Sequence, residues 1–280
     1  MAFTLVLNSS NVVGNSNSQF KYNFIGGGLK LQDAKMCVSQ ITIPYSWQNL
    51  NKQYYANTNI SYTWVNGTVY NDIIPNGFYA VTDLQNYLQQ LMISRNQYLI
   101  NAIGSYVYYI NLSYNTTYYS CQILNFLVPA SLPTGYTAPS GFIYSTVVPV
   151  CALFNIVSNG LGTILGFPVG NYPATTAVTT SQTFVSNTYG LVPLGSNVNS
   201  LVIRCSLANN PVTMPSDVVD AFGINSSYGS NITYSPSFEK WVNLNNGTFA
   251  SMTITITDQN FNTLPALDPN ASITILIKMD

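Results

Sequence analysis

Residues 249–280 read FASMTITITDQNFNTLPALDPNASITILIKMD. Two runs in this stretch, 252–257 and 272–278, alternate Ile with Thr or Lys for most of their length. That is the period-2 signature of half-buried strands, which place successive side chains on opposite faces. Between them, Asp258, Asn260, Asn262, Pro265, Asp268, Pro269 and Asn270 supply dense turn chemistry. The stretch is expected to form a β-ribbon closed by a long loop, with Ile254, Ile256, Ile273, Ile275 and Ile277 as its core face. Such a ribbon needs other strands to pair with and a second sheet to cover its Ile side.

The rest of the chain supplies candidates. Strand-like pieces fall at 3–7 and 19–25, and Gly26, Gly27 and Gly28 then mark a tight turn. They are not a phosphate cradle, because neither a Gly-Lys-Ser/Thr sequence nor a helix follows. Residues 29–43 read as one long strand stopped by Pro44. Residues 57–74 read as a hairpin with Asn66-Gly67 as a type I′ turn. One good helix is expected over 82–95, capped by Thr82 or Asp83, with Leu84, Tyr87, Leu88, Leu91 and Met92 on one face. Short strands follow at 106–112 and 118–124. From Val128 to about Gly195, Pro, Gly, Thr and Ser dominate, with apolar pieces at 142–156 and 161–167; this reads as a long insertion or extended loops. A core strand resumes at 200–207, a helical turn is expected over 216–222, and short strands at 231–234 and 240–244 lead into the terminal stretch. The sum is an all-β protein, an antiparallel sandwich with one short helix and a long insertion.

Composition narrows the function. Of 280 residues only 6% are charged, eight Lys or Arg against nine Asp or Glu, and the charges form no runs. A nucleic-acid surface needs a basic stripe, so no direct nucleic-acid binding is expected. A surface this poor in charge favours association and suits a protein covered by copies of itself. No apolar run approaches the ~20 residues of a membrane span, and no signal peptide is evident. Cys37, Cys121, Cys151 and Cys205 are far apart and are expected to be buried thiols of an intracellular protein. Nine Asn-x-Ser/Thr sequons occur, close to chance for so Asn-, Ser- and Thr-rich a chain, and no glycans are expected.

Motifs that carry chemistry are weak. Histidine is absent, which removes Ser-His-Asp and Cys-His catalysis and His-ligated metal. Asp258, Asn260 and Asn262 open like a calcium loop, but Thr263 stands where Gly is required and Pro269 where Glu is required, so a plain loop is read instead. Asp217 and Asp220 could share a helix face and read as cap and surface residues. A glycosidase would need two facing carboxylates, and no such pair is legible. The expectation is no enzyme, no catalytic, cofactor-binding or metal residues and no cofactor. The 21 Tyr residues suit protein interfaces or glycan contact.

Four segments taken in order carry a resemblance. They are residues 41–47 (ITIPYSW) after a strand, and Gly77-Phe78-Tyr79 leading into the helix. The third is residues 164–172 (ILGFPVGNY) followed by 200–207. The fourth runs from 231–236 (NITYSP) through Phe249 to the ITITDQ run. In this order the chain resembles the single jelly-roll penton, or minor capsid, proteins of virophages, polinton-like viruses and related large double-stranded DNA viruses. The resemblance implies an antiparallel single jelly-roll sandwich. It implies a structural virion protein, assembled inside the host cell as a homopentamer at the fivefold capsid vertex and contacting major capsid protein. On that footing 1–127, with the helix at 82–95, is expected to be the first part of the jelly roll. Residues 128–199 are expected to be the insertion and 200–280 the second part. The alternative is a receptor- or glycan-binding β-sandwich adhesin on a virion or cell surface, motivated by the Tyr- and Asn-rich loops of 128–195. Its further partner would be a host receptor or glycan.

Overall fold

The computed structural model describes residues 2–14, 16–191, 193 and 195–279; Asp280, the last residue of the quoted stretch, lies outside them. The chain lays down β1 (Ala2–Leu7), β2 (Gln19–Asn23) and β3 (Lys35–Pro44). It then leaves for β4 (Asn59–Thr63), β5 (Val69–Ile73), α1 (Val81–Ser94), β6 (Ile110–Asn115), β7 (Ser120–Asn125), β8 (Leu153–Ile156), α2 (Asn159–Leu165), β9 (Gly170–Tyr172) and β10 (Gln182–Val185). It returns for β11 (Ser200–Cys205), β12 (Val218–Gly223), β13 (Asn231–Tyr234), β14 (Ser251–Asp258) and β15 (Ser272–Lys278). The residues form two compact units, one of 1–48 with 198–280 and one of 49–197.

In the first unit the main strands make two antiparallel sheets, ordered β1-β15-β3-β13 and β12-β11-β14-β2. Of this unit's eight main strands in chain order, the first pairs with the last, the second with the seventh, the third with the sixth and the fourth with the fifth. A long antiparallel ribbon rolled into two sheets gives this order, and it is the jelly roll. All five Ile residues expected on the core face are buried. Each contributes about 1.5–3 kcal/mol by leaving water.

The expected ribbon is corrected. β14 and β15 do not pair with each other: β14 lies between β11 and β2, and β15 lies between β1 and β3. The intervening loop therefore crosses from one sheet to the other. Asp258 shapes its start, its carboxylate accepting from the Asn260 and Asn262 amides at 2.8 Å and from Asn262 Nδ2 at 3.0 Å. The calcium-like spacing is thus an Asx turn that holds its own backbone.

Two further strand expectations change. Residues 29–43 are not continuous, because Asp33 takes a positive φ of 50° and splits Leu29–Leu31 from β3. Within β3 the pairing to β15 slips by one residue, Thr274 facing Gln40 and Ile275 facing Val38. The extra residue is Ser39. This bulge resets the side-chain parity, so Met36 and Val38 on one side of it and Ile41 and Ile43 on the other are all buried. Most of 216–222 lies in the strand β12, which starts at Val218, and is not a helical turn; Val219 and Phe222 are buried in the sheet, and packing overrides the local cap signal.

The second unit has its own core, centred on Trp64, Tyr62, Phe154 and Phe167. Its sheets run β9-β8-β4-β5 and β10-β7-β6. The expected hairpin is β4 with β5, Tyr62 facing Tyr70. Its turn differs: the Gly67 amide donates to Trp64 O at 2.9 Å and Gly67 sits at φ 82°, a four-residue turn closed by a left-handed glycine. The expected helix is α1, which buries Leu84, Leu88 and Met92 at i, i+4 and i+8. Its cap is Ala80, with Asp83 Oδ2 accepting from the Ala80 amide at 2.8 Å; neither Thr82 nor Asp83 is the cap.

The expected division was 1–127, 128–199 and 200–280, whereas the compact units divide at 48/49 and 197/198. The hairpin at 59–73 and α1 bury their apolar faces in the second core. The insertion into the jelly roll therefore spans 49–197 and enters between β3 and β11.

A second helix, α2, was read only as an apolar piece. It ends at Gly166 in the left-handed region, φ 76°. The Phe167 amide donates back to Gly162 O at 2.8 Å. A Cβ on Gly162 would stand 2.5 Å from Phe167 O and 2.9 Å from Ile156 Cγ2. Gly162→Ala is expected to destabilise the second unit by about 1–3 kcal/mol, read as a lower urea midpoint; an unchanged midpoint contradicts this packing.

The four cysteines are free and buried, as expected of thiols in a core. Burial pushes Cys37 and Cys205 up to about 11 and Cys121 up to about 12, from an ordinary 9.0. Burial also lifts the Tyr172 phenol to about 12, and the Tyr62 phenol to about 12 against the opposing pull of its Arg95 hydrogen bond, from an ordinary 10.0. Folding favours the neutral form of each. Their contribution is therefore complete below the unfolded-state values, and is lost as pH rises from about 9 toward 12. Urea midpoints are expected to hold between pH 7 and ~8.5 and to fall steadily above that.

Candidate interaction surfaces

Part of the small charge complement is spent inside each unit. In the jelly-roll unit Arg204 Nε and Nη2 donate to both oxygens of Asp217 at 2.8–3.1 Å, and the guanidinium lies 5.6 Å from the Phe261 ring. Lys240 Nζ donates to Asp220 Oδ1 at 2.7 Å, and the Tyr234 hydroxyl to Asp220 Oδ2 at 2.8 Å. These contacts raise the Lys240 pKa, Asp220 first and Tyr234 second. The Tyr234 ring stacks on Phe222 at 4.3 Å. Lys278 Nζ sits 3.9 Å over the Trp241 ring.

In the inserted unit Arg95 Nη2 donates to both oxygens of Asp72 at 2.7 and 2.8 Å, and Nη1 to the Tyr62 hydroxyl at 2.8 Å. The hydroxyl in turn donates to Gln97 Oε1 at 2.6 Å. Four of the eight cationic side chains, Arg95, Arg204, Lys240 and Lys278, are thus engaged within their own unit. Asp217 and Asp220, read from the sequence as cap or surface carboxylates, are each taken up by a cation. No group of three His, Cys, Asp or Glu side chains among the described residues could hold a metal.

Several large apolar side chains also face outward. In the jelly-roll unit Met214 is 95%, Ile25 92% and Val212 88% exposed. Val212 and Met214 share one short loop between β11 and β12, and the loop is rigidly held. The Asn210 amide donates to Ser216 O at 2.7 Å, and Asn210 Nδ2 to Val218 O at 3.1 Å. Asn210 Oδ1 accepts from the Val212 amide at 3.2 Å, and Thr213 Oγ1 donates to Pro215 O at 3.0 Å. Two bare hydrophobic side chains are therefore presented on a buttressed knuckle, with little ordering left for a partner to impose. The inserted unit exposes Ile103 and Val147 by more than 80%.

The sheets add a second kind of surface. In the jelly roll, β1, β12 and β13 pair with a neighbouring strand on one side only, while β2 is bridged on its other side by Val12 at Phe20. Such edges are where another strand can add. Receptor or glycan contacts were expected in 128–195 and assembly contacts at edge strands and loops; the knuckle itself was not singled out. Its signal is present in 209–215, Asn-Asn-Pro-Val-Thr-Met-Pro, where two prolines bracket apolar residues after a turn-forming Asn.

Fold and surface together define an antiparallel jelly-roll sandwich with few charges, part of them paired internally. Among solved structures the chain is similar to the mavirus penton protein, known from a selenomethionine-labelled crystal structure. The match covers 99% of this chain and 98% of that one, at 10% sequence identity and a TM-score of 0.42. A likeness at that identity and score carries no weight for function. No protein-family model and no curated protein matches the chain.

Proposed function

We propose that the chain is a structural virion protein: a penton subunit that assembles as a homopentamer at the capsid vertex and meets major capsid protein there. Jelly rolls serve capsid, lectin and cupin domains, so topology alone does not choose among them. The observation that carries the choice is the surface. Charge is scarce, only 6% of residues, and three ion pairs take up part of it, while large apolar side chains stand bare on a hydrogen-bonded loop. A lone protein keeps its apolar patches small and its charge away from zero; a subunit covered by neighbours has no such need.

Assembly would use the knuckle and the sheet edges as heterologous contacts that close into a ring. Native mass spectrometry of the full chain is expected to give a pentamer, and a monomer at tens of micromolar overturns the reading. The resemblance in segment order points the same way. The alternative, a glycan-binding module, is favoured by one observation in the inserted unit, taken up next.

A further inference from the structure

The inserted unit carries a groove of about 650 Å3 lined by Gln89, Tyr106, Tyr108, Asn111, Phe126 and Tyr136 among others. The local sequence builds it. Leu99–Ile100 pairs with Tyr106–Val107 as a short hairpin, and its flanking rings meet, Tyr98 with Tyr106 at 4.7 Å and Tyr106 with Tyr108 at 6.4 Å. Gln89 comes from α1 and Asn111 from β6.

Three properties of the lining are informative together. It contains no charged residue. It offers aromatic faces, with Tyr106 and Phe126 exposed. It also offers polar groups with capacity to spare. Among the described residues Gln89, Tyr106, Tyr108 and Tyr136 make no side-chain hydrogen bond, and Asn111 uses only Oδ1, which accepts from Gln85 Nε2 at 2.9 Å.

We propose that this groove binds a neutral oligosaccharide. A pyranose ring presents apolar C–H faces that lie on aromatic rings, and hydroxyls that donate and accept at once. The phenols and amides here can meet both roles. A purely apolar ligand would strand those polar groups without partners, which costs free energy. An anionic ligand would find no countercharge. The volume is within the ~300–1,000 Å3 of small-ligand sites. The proposal does not depend on pentamer formation.

The test is saturation-transfer NMR and calorimetry on the full chain with maltotriose, cellotriose, triacetylchitotriose and sialyllactose. At least one of the three neutral sugars is expected to bind, and more tightly than sialyllactose. Gln89→Ala and Tyr108→Ala are each expected to weaken that binding about tenfold. Tyr108→Phe, which keeps the ring and removes the hydroxyl, is expected to weaken it about threefold. Tyr118→Ala, at an exposed tyrosine outside the groove, is expected to change nothing. Thermal unfolding of each variant separates loss of binding from loss of fold.

Three results overturn the proposal: no neutral sugar bound at millimolar concentration, binding unmoved by the groove substitutions in folded protein, or a preference for sialyllactose. A pentamer that takes up no neutral sugar keeps the assembly reading and overturns this one; a sugar-binding monomer does the reverse.

Discussion

Ile275→Asp will leave no folded protein. Ile275 is completely buried on β15, the strand that joins β1 to β3, where it faces Leu5 on one side and Val38 on the other. The substitution forfeits about 1.5–3 kcal/mol of apolar burial. It also places a carboxylate among Leu5, Val38, Ile273 and Ile277, all buried. An unpartnered buried charge costs several kcal/mol more, even after it takes up a proton. The sum is comparable with the whole stability of a domain, about 5–15 kcal/mol. Ile275→Val, which removes one methyl group, is expected to cost about 0.5–1.5 kcal/mol and to fold. Soluble yield and circular dichroism distinguish the two. A soluble, β-rich Ile275→Asp protein would mean that β15 is peripheral to the sandwich.

The second large effect is on assembly and leaves the fold alone. Val212→Asp combined with Met214→Asp is expected to convert the proposed pentamer into monomer, weakening association by at least about a hundredfold. Each side chain is bare in the single chain and held on a loop whose own hydrogen bonds run through Asn210 and Thr213. Neither substitution removes a core contact, so stability should move by no more than about 0.5 kcal/mol. Burying the two carboxylates against a neighbour's apolar patch would add a desolvation cost to the lost apolar contact. Analytical ultracentrifugation and a urea titration read the two quantities separately. A double variant that stays pentameric places the contacts elsewhere, with the one-sided edges β1, β12 and β13 as the next candidates. Loss of fold and assembly together would mean that the knuckle supports the sandwich.

How much was legible in advance depended on the range of the physics. Side-chain alternation in 252–257 and 272–278 is local, and the five Ile residues it marks are the buried ones. The same holds for α1, whose Leu84, Leu88 and Met92 repeat with the helix. Pairing is not local. Nothing within 249–280 distinguishes a hairpin from two strands that part to different sheets. That choice was made by β2 and β11 on one side and β1 and β3 on the other. The division into units is non-local for a like reason. The 59–73 hairpin has the texture of jelly-roll strands, and only the core that its Tyr62 enters assigns it to the other unit. The interaction surfaces were less legible still. The knuckle depends on hydrogen bonds from Asn210, and the groove assembles Gln89, Tyr108 and Tyr136 from three separate parts of the chain.

By itself, then, the sequence determined an all-β protein with one strong helix, buried thiols, little charge and no histidine chemistry, because periodicity and composition act within a few residues. Only the tertiary structure decided the rolled order of the strands, the Ser39 bulge that keeps β3 facing the core, and the split at 49 and 197. These follow from which distant apolar faces bury one another, and a short stretch of chain carries no record of its distant partners.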